Sequence, residues 1–411
     1  MKSVNPPTKR TYYSGAKSVS VRYGGGVKRL NKPEIKNLKK AADRIKKAIK
    51  KEERIILYGD ADMDGVASVI ILKEAIANLG GKVIAVYFPD RETEGYGINE
   101  DALNYSEKHS PALFITVDLG IGNFKEVKLA KKLGFEVMIV DHHKVLNKLP
   151  AASIIVNPKQ KGDSYPFKEF AAAGVVFKLA EALLGEKLTP ALRNNFLELA
   201  ALATIADMMT QEEDNIEIVT MGLASLKNTF RPGLKVFTET DENNSRAIAQ
   251  KIISACHAAG TASGHINEAY SLLTSTSIKE AEHLAEELLE KSYERQQKIK
   301  EITEEAEGII SKKTGESIIF EGSKDWPILM AGPASSKICN IYKKPVFLYS
   351  QKEKDSQGAV RTPKGVDGVK PMIYCSKYLE TYGGHPQAGG FRIKNKDLGK
   401  FKKCLIKYFQ K

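Results

Sequence analysis

The sequence lacks long hydrophobic runs and has few cysteines. No apolar run reaches about 18 residues, the length typical of a membrane span, and no charged-then-apolar leader opens the chain. We therefore expect a cytoplasmic protein with no membrane partner. The cysteines show no CxxC spacing, so we predict reduced, partly buried thiols rather than a disulfide or zinc framework. These cysteines are Cys256, Cys339, Cys375 and Cys404.

Basic residues outnumber acidic ones, giving a formal net charge of +13 and a pI near 9.2. Such an excess favours a polyanionic partner, because Lys and Arg neutralise phosphates and release counterions. A generally Lys-rich proteome would produce the same charge without such a partner. The hydrophobic share of 42% and the length of 411 residues predict a globular protein of two or three domains.

The first half of the chain alternates between apolar runs and helical periodicity. The spacing predicts a basic amphipathic helix from Leu38 to Lys50 and further helices from Val66 to Leu79 and from Phe124 to Leu133. Uniformly apolar strands that alternate with helices indicate a parallel sheet covered on both faces, and such sheets bind ligands at the carboxyl ends of their strands. The predicted strands are 54–58, 83–88, 112–117, 136–140 and 153–156.

The second half changes in composition. Residues 168–228 are expected to be helical, and the segment from Ile278 to about Lys312 predicts one long charged helix without proline. Short strands are expected after it. The fold class is therefore α/β, with a parallel-sheet domain joined by a long helix to a smaller α/β domain. The predicted strands of that domain are 317–320, 327–330 and 345–349, and the predicted segments are a polar N-terminus (1–30), a main domain (31–277), a connecting helix (278–314) and a second domain (315–411).

Three carboxylates alternate in the string Asp60-Ala-Asp62-Met-Asp64-Gly65, directly after the first predicted strand. They would repel one another unless a cation neutralises them. An EF-hand is excluded because a strand precedes the string and Ile71 stands where the loop needs a glutamate. A solvated cluster at a helix N-terminus remains the alternative interpretation.

Aspartate and histidine residues, which can also bind metal ions, follow other apolar runs. Asp118 follows one predicted strand, Asp141-His142-His143 follows another, and Asp207 ends the run 199–206. A lone Asp at a strand end is usually a cap, and paired histidines can be structural. Together, however, these oxygen and nitrogen donors suit Mn²⁺ or Mg²⁺ better than structural zinc. Two such ions would activate a water and stabilise an in-line displacement at phosphorus.

A Gly-rich string near the C-terminus, Gly383-Gly384-His385, follows Arg361. Backbone N–H groups, an imidazole and a guanidinium together would form a phosphate or nucleotide clamp. An ordinary Gly-rich turn with a surface arginine is an equally good interpretation of these residues alone.

The ordered motifs resemble the DHH phosphoesterase superfamily, and within it the RecJ-type nucleases, especially the compact archaeal type. The resemblance runs from about residue 54 to 391. It is carried by Asp60-Ala-Asp-Met-Asp-Gly, Val117-Asp-Leu-Gly-Ile, Asp141-His-His, Thr204-Ile-Ala-Asp207 and Gly383-Gly-His-Pro-Gln-Ala-Gly-Gly-Phe391.

The resemblance implies a role for each motif residue. Two Mn²⁺ or Mg²⁺ ions would be held by Asp62, Asp64, Asp118, His142 and Asp207. His143 would touch the scissile phosphate or support the second metal, and Asp118, His142 and His143 would be the catalytic residues. Asp60 and Asp141 would orient the ligands from behind. The contacts to substrate would come from Arg361, Gly383, Gly384 and His385.

The function that the resemblance implies is a metal-dependent exonuclease on single-stranded DNA or RNA, in DNA replication and repair or RNA processing. Two alternatives remain open: a phosphodiesterase for oligonucleotides or cyclic dinucleotides, and a scaffold that binds the GINS complex of the replicative helicase. Two positions depart from the family pattern, because Tyr58 replaces a frequent histidine ligand and Thr261 replaces an arginine. Little sequence follows Phe391, so the OB-fold of bacterial RecJ is not expected.

Overall fold

In the computed structural model, the described residues form two five-stranded sheets and one two-stranded ribbon. The structure describes residues 33–91, 93–145, 148–239, 244–262, 264–313 and 315–410, so the predicted segment 1–30 lies outside the described residues. The strands are β1 (Ile55–Gly59), β2 (Val83–Tyr87), β3 (Ala112–Val117), β4 (Phe135–Val140), β5 (Ile154–Val156), β6 (Thr261–Ala262), β7 (Ile266–Asn267), β8 (Ile319–Ser323), β9 (Val346–Gln351), β10 (Asp355–Arg361), β11 (Thr381–His385) and β12 (Ala388–Lys394).

The helices follow the predicted periodicity closely in the first half of the chain. The basic helix α1 has the predicted bounds, and its buried face is apolar. The helices are α1 (Leu38–Lys50), α2 (Met63–Asn78), α3 (Glu100–Glu107), α4 (Phe124–Lys132), α5 (Ala172–Leu184), α6 (Pro190–Ala206), α7 (Asp214–Leu226), α8 (Pro232–Thr238), α9 (Ser245–Cys256), α10 (Glu268–Thr274), α11 (Ile278–Ile310), α12 (Ile328–Tyr342), α13 (Val369–Tyr374) and α14 (Leu398–Phe409).

The first sheet is parallel, with strand order β2-β1-β3-β4-β5. Its strands lie where the apolar runs predicted them, and β1 and β3 are buried along their whole length because helices cover both faces. In this order the connections leave β1 and β3 in opposite directions, which opens a crevice at their carboxyl ends. The fold thus fixes where a ligand would bind.

Helix α2 runs from this crevice into the core. It starts at Met63, earlier than the predicted Val66, because the Asp62 side chain accepts hydrogen bonds from the backbone N–H groups of Asp64 and Gly65. A Cβ at Gly65 would lie 2.2 Å from the carbonyl oxygen of Asp60. Glycine therefore lets the helix start directly against the end of β1.

The long helix α11 belongs to two hydrophobic cores. Ala281, Ala285 and Leu288 pack into the core around α2, whereas Ile302 and Ala306 pack into the core of the second sheet. A helix of 33 residues spans about 50 Å, enough to reach both. Within the described ranges, neither this helix nor any other is long and apolar enough to cross a membrane.

The second sheet is mixed, with strand order β11-β12-β10-β9-β8, and only the β8–β9 pair is parallel. Alternate residues of β9 face opposite cores: Leu348 packs with α11 and α12, and Phe347 with α13 and α14. The strand predicted at 327–330 is wrong, since α12 starts at Ile328. Pro327, with its fixed φ, is the N-cap of that helix, and a short apolar run does not distinguish strand from helix.

One prediction about the cysteines is also wrong. Cys375, after α13, forms a disulfide with Cys404 in α14, with 6.0 Å between their Cα atoms. The two residues lie 29 positions apart and become neighbours only because α13 and α14 pack together. Cys256 and Cys339 are free and buried, as predicted.

Candidate metal centre

The predicted ligands converge at the carboxyl edge of the first sheet. Asp60 to Asp64 follow β1, Asp118 follows β3, Asp141 to His143 follow β4, and Asp207 caps the C-terminus of α6. Their ligand atoms form clusters whose members lie within 4.8 Å of one another. These clusters are Asp64–His142–Asp207, Asp60–Asp62–Asp118, Asp118–Asp141–His143 and His142–His143–His385.

His142 points one ring nitrogen into the acidic group. Its Nδ1–H donates to the carbonyl oxygen of Phe170 at 2.8 Å, which leaves the lone pair on Nε2. That Nε2 lies 3.3 Å from Asp118 Oδ1, 3.6 Å from Asp207 Oδ2 and 3.8 Å from Asp64 Oδ2. Burial, together with the neighbouring His143, lowers the pKa of His142 well below its usual value. A neutral, oriented imidazole is the form that binds a metal.

Asp118 adopts a left-handed backbone conformation with φ of 63°, which is uncommon outside glycine. This conformation aims its carboxylate at the cluster, where Oδ1 is buried without a hydrogen-bond partner. Burial and repulsion from Asp64 raise the pKa of Asp118 well above its ordinary value. Backbone strain and an unpartnered buried oxygen mark a position that needs a cation.

Asp207 shares with Asp118 the unpartnered buried oxygen and the raised pKa, although its own backbone is unstrained, with φ of −82°. Its Oδ2 is buried without a partner, and burial followed by repulsion from Asp62 raises the pKa of its carboxyl to about 7.

Asp64 is held by backbone N–H groups that the sequence analysis did not predict. Its two oxygens accept hydrogen bonds from the N–H groups of Ala172 and Ala173, each at 2.7 Å, at the N-terminus of α5. That helix has no side-chain cap of its own, so Asp64 fills this role from 108 residues away. The segment 170–173 therefore positions both Asp64 and His142. It carries no polar side chain, so its composition gave no signal.

Asp141 serves the other ligands. Its Oδ1 accepts from the N–H groups of His142 and His143 and from His143 Nδ1, at 2.7, 3.0 and 2.7 Å, and its Oδ2 accepts from the N–H of Ile121 at 3.0 Å. Burial alone would lower the pKa of His143, but the Asp141 carboxylate raises it to about 9. His143 is therefore a cation at neutral pH in the metal-free protein.

Arg91 is a site residue that the sequence analysis missed. Its Nε lies 2.9 Å from Asp60 Oδ1, and its Nη2 lies 2.8 Å from both Asp60 Oδ2 and Asp62 Oδ2. Burial alone would raise the pKa of Asp62, but Arg91 holds it well below its usual range. Its position in the sequence could have indicated this role, because Arg91 follows β2 and so lies at the same edge of the sheet as the carboxylates.

The two departures from the family pattern are structural here. The Tyr58 hydroxyl donates to the carbonyl oxygen of Gly97 at 3.0 Å, and the Tyr58 ring stacks on Tyr87. The Thr261 hydroxyl donates to the carbonyl oxygen of Pro89 at 3.2 Å. The Tyr58 hydroxyl thus binds the backbone at Gly97 rather than a metal ion beside the carboxylates.

The Gly-rich string is a hairpin, not a loose turn. Gly383 and Gly384 lie in β11 and pair with Gly390 and Gly389 of β12. His385, at the end of β11, stacks on His143 with 5.4 Å between ring centroids. Its Nε2 is buried without a partner.

Arg361 lies in the same cross-strand row as His385, since both pair with Ala388 of β12. Its Nε donates to Ser336 Oγ at 3.0 Å, and its Nη1 to the carbonyl oxygen of Val360 at 2.9 Å. The two predicted contacts therefore lie roughly 10 Å apart along the row.

The donor set fits divalent cations. Burial and mutual repulsion raise the pKa values of Asp64 and Asp118. Mn²⁺ or Mg²⁺ would relieve this repulsion, and it would also give a partner to the two unpartnered buried oxygens and to the oriented imidazole nitrogen. Residues 54–204, which supply most of this site, match the DHH family, N-terminal domain.

The chain contains a DHH-family domain. The chain is 37% identical over 373 residues to the single-stranded-DNA-specific exonuclease RecJ of Bacillus subtilis. That match covers 89% of this chain and 47% of the relative. The chain thus spans about half the length of this relative.

Two solved structures share the architecture around the DHH domain. Exonuclease RecJ bound to manganese is similar over 93% of this chain and 96% of its own, with 28% identity and a TM-score of 0.74. RecJ of Thermus thermophilus in complex with Mn²⁺ is similar over 93% of this chain and 56% of its own, with 26% identity and a TM-score of 0.80. The predicted resemblance to the DHH superfamily and to RecJ-type nucleases is confirmed, and so is the predicted fold class.

Proposed function

We propose that the protein is a divalent-metal-dependent exonuclease that hydrolyses phosphodiester bonds of single strands at the DHH carboxylates. The observation that carries this proposal is the buried acidic cluster with unpartnered oxygens on Asp118 and Asp207 around His142 Nε2. The similarity to RecJ of B. subtilis supports DNA as the substrate class, and the manganese-bound RecJ structure supports Mn²⁺.

In this proposal Asp64, Asp118, His142 and Asp207 would hold two Mn²⁺ or Mg²⁺ ions, with Asp62 as the further ligand. When bound, such ions would activate a water and neutralise charge at phosphorus. The protonated His143 faces the substrate and donates to a phosphate oxygen. Asp141 keeps that imidazole in place through the 2.7 Å bond to Nδ1.

The ring of His385, at the end of β11, lies 5.4 Å from that of His143 and 5.8 Å from that of His142 between centroids, which supports the β11–β12 hairpin as the opposite side of a substrate cleft. We propose that His385 and the N–H groups of Gly383 and Gly384 contact the strand, with Arg361 further along the row. The net charge of +13 supports attraction of a polyanion. RNA as substrate, GINS as partner, a cytoplasmic location and the four-segment domain division stay predictions.

Matched single strands test the proposal. DNA and RNA of the same sequence, labelled at either end, are incubated with Mn²⁺, with Mg²⁺ or with chelator, together with a series from two to thirty nucleotides and a cyclic dinucleotide. We expect shortening of long single strands one nucleotide at a time, which stops in chelator. Preference for two- to five-nucleotide substrates would favour the oligonucleotide phosphodiesterase instead.

Asp118→Ala is the decisive variant, with Asp43→Ala as its control because Asp43 is an exposed carboxylate of α1. We expect a loss of about a thousandfold in the first and no change in the second, since the metal ions that would stabilise the transition state lose a ligand. Retained cleavage by Asp118→Ala would refute the metal assignment. An inactive wild-type protein that co-purifies with GINS would favour the scaffold.

A further inference from the structure

Two of the carboxylate clusters differ in what neutralises them. In the open cluster (Asp64, His142 and Asp207), Asp207 Oδ2 is buried without a hydrogen-bond partner, and His142 Nε2 lies 3.6 Å from it. In the guanidinium cluster (Asp60, Asp62 and Asp118), a protein cation already occupies the carboxylates, because Arg91 contacts two of the three.

The contacts of Arg91 are specific. Its Nε and Nη2 take the two oxygens of Asp60 at 2.9 and 2.8 Å, a bidentate pairing that satisfies that buried carboxylate. The same Nη2 reaches Asp62 Oδ2 at 2.8 Å. The Arg91 side chain is also seated over the Tyr96 ring, with 5.0 Å from Cζ to the centroid. These contacts fix the guanidinium at the rim of the cluster.

Asp62 has one oxygen to offer a metal ion. Its Oδ1 accepts from the N–H groups of Asp64 and Gly65 at 3.0 and 3.1 Å and so caps α2. Its Oδ2 is the oxygen bound to Arg91. A divalent ion on Oδ2 would lie against a guanidinium of the same sign, and two cations a few ångströms apart repel strongly in a partly buried site.

We propose that Arg91 and a divalent ion compete for Asp62 Oδ2, so that the two ions of the proposed enzyme load in order, the open cluster first. Loading of the guanidinium cluster breaks the Arg91–Asp62 contact. The bidentate Arg91–Asp60 pair persists, because its oxygens belong to a different carboxylate. The inference rests on the proposed function only in taking both clusters as cation sites.

Calorimetric titration of Mn²⁺ alone into the metal-free protein tests this order. We expect two binding steps in the wild-type protein. In Arg91→Gln the second step tightens by at least about tenfold, the equivalent of one charge-assisted hydrogen bond that the ion no longer has to break. Arg91→Lys, which keeps the charge without the fork geometry, gives an intermediate affinity.

Arg392→Gln is the matched control, since Arg392 makes an exposed guanidinium–carboxylate pair with Asp355 in the second sheet. It leaves both steps unchanged. Electron paramagnetic resonance provides a second readout, because the exchange-coupled Mn²⁺ pair appears at lower Mn²⁺ concentration in Arg91→Gln. This measurement does not depend on catalysis.

A second step that is unchanged or weaker in both Arg91 variants would overturn the competition and make Arg91 a support for the second ion. Two equal steps in the wild-type protein would overturn the loading order. A wild-type protein that binds no Mn²⁺ would refute the proposed function itself, which is a distinguishable result.

Discussion

The imidazole of His143 stacks on the imidazole of His385, with 5.4 Å between the ring centroids and 22° between the planes. His143 belongs to the loop after β4 of the parallel sheet, and His385 ends β11 of the second sheet. The two sheets therefore meet at the side chain proposed to donate to the phosphate.

Replacement of His385 tests that contact. We expect His385→Ala to lower kcat/KM by about tenfold, the scale of one aromatic pair, while Mn²⁺ affinity stays unchanged. His385→Phe keeps a stacking ring and recovers part of the activity. Thr381→Ala, at an exposed position of the same strand, is the control. Wild-type kcat/KM in His385→Ala would contradict the prediction.

Gly65 offers a test of how the fold builds the site. A Cβ at this position meets the backbone of Asp60 at 2.2 Å, so Gly65→Ala must displace α2 or the Asp60–Asp64 string. We expect a loss of about 1–3 kcal/mol in the free energy of unfolding, typical of overpacking, together with weaker Mn²⁺ binding. Urea denaturation and calorimetry measure the two effects.

The control for this variant is Gly122→Ala, since a Cβ at Gly122 meets nothing within 4 Å. Gly122 also follows β3 near the same edge. Equal behaviour of the two variants would show that the close approach of α2 to Asp60 is unimportant.

The carboxyl of Asp207 links the stability of the metal-free protein to pH. Its pKa is raised to about 7 by burial and by Asp62, whereas an unfolded Asp titrates near its ordinary value of about 4. Between these values the folded state binds the proton more tightly than the unfolded state. The free energy of unfolding therefore falls as the pH rises from about 4 to about 7.

Denaturation in chelator across this window measures the slope. Asp207→Asn is expected to flatten it, and Asp43→Asn, an exposed control, is not. Because Mn²⁺ binds the ionised form, the stabilisation by Mn²⁺ is larger above pH 7 than near pH 5. An Asp207→Asn slope equal to that of the wild type would rule out this linkage.

The Cys375–Cys404 disulfide gives a prediction for the second sheet. Removal of a cross-link over 29 residues, in Cys375→Ala/Cys404→Ala, is expected to cost about 3–4 kcal/mol through the greater freedom of the unfolded chain. Urea denaturation, monitored by a probe in the second sheet, measures the loss in the free energy of unfolding. Cys339→Ala, a free and buried thiol, separates cross-linking from packing.

Thiol counting tests the same bond directly. Protein denatured without reductant should show two reactive thiols, Cys256 and Cys339, and four after reduction. Four thiols before reduction would contradict the cross-link.

The sequence predicted the first sheet well because its strands are buried on both faces and read as uninterrupted apolar runs. The placement of Asp118 and His142 followed from the same logic, since each ends such a run. A parallel sheet gathers the carboxyl ends of its strands at one edge, so the sequence alone predicts that the polar residues after those strands lie close together. Their roles as ligands stay predictions.

What escaped prediction consists of contacts between distant parts of the chain. Ala172 and Ala173 bind Asp64 through backbone N–H groups, which every residue type other than proline carries. Arg91 is one arginine among many basic residues, and its pairing with Asp60 depends on where the 88–99 loop lies. The error at Pro327 had a local cause, because an apolar run of four residues does not distinguish helix from strand.

Helix α11 anchors one of its ends in each core, and within the part of the chain that the structure describes it is the one connection between these two cores. Its buried contacts thin out between Leu288 and Ile299, with Ser292 as the buried residue of that interval. A continuous hydrogen-bonded helix bends gradually rather than folding at a point. A change in the distance between the two sheets would therefore be taken up as gradual bending over about three helical turns.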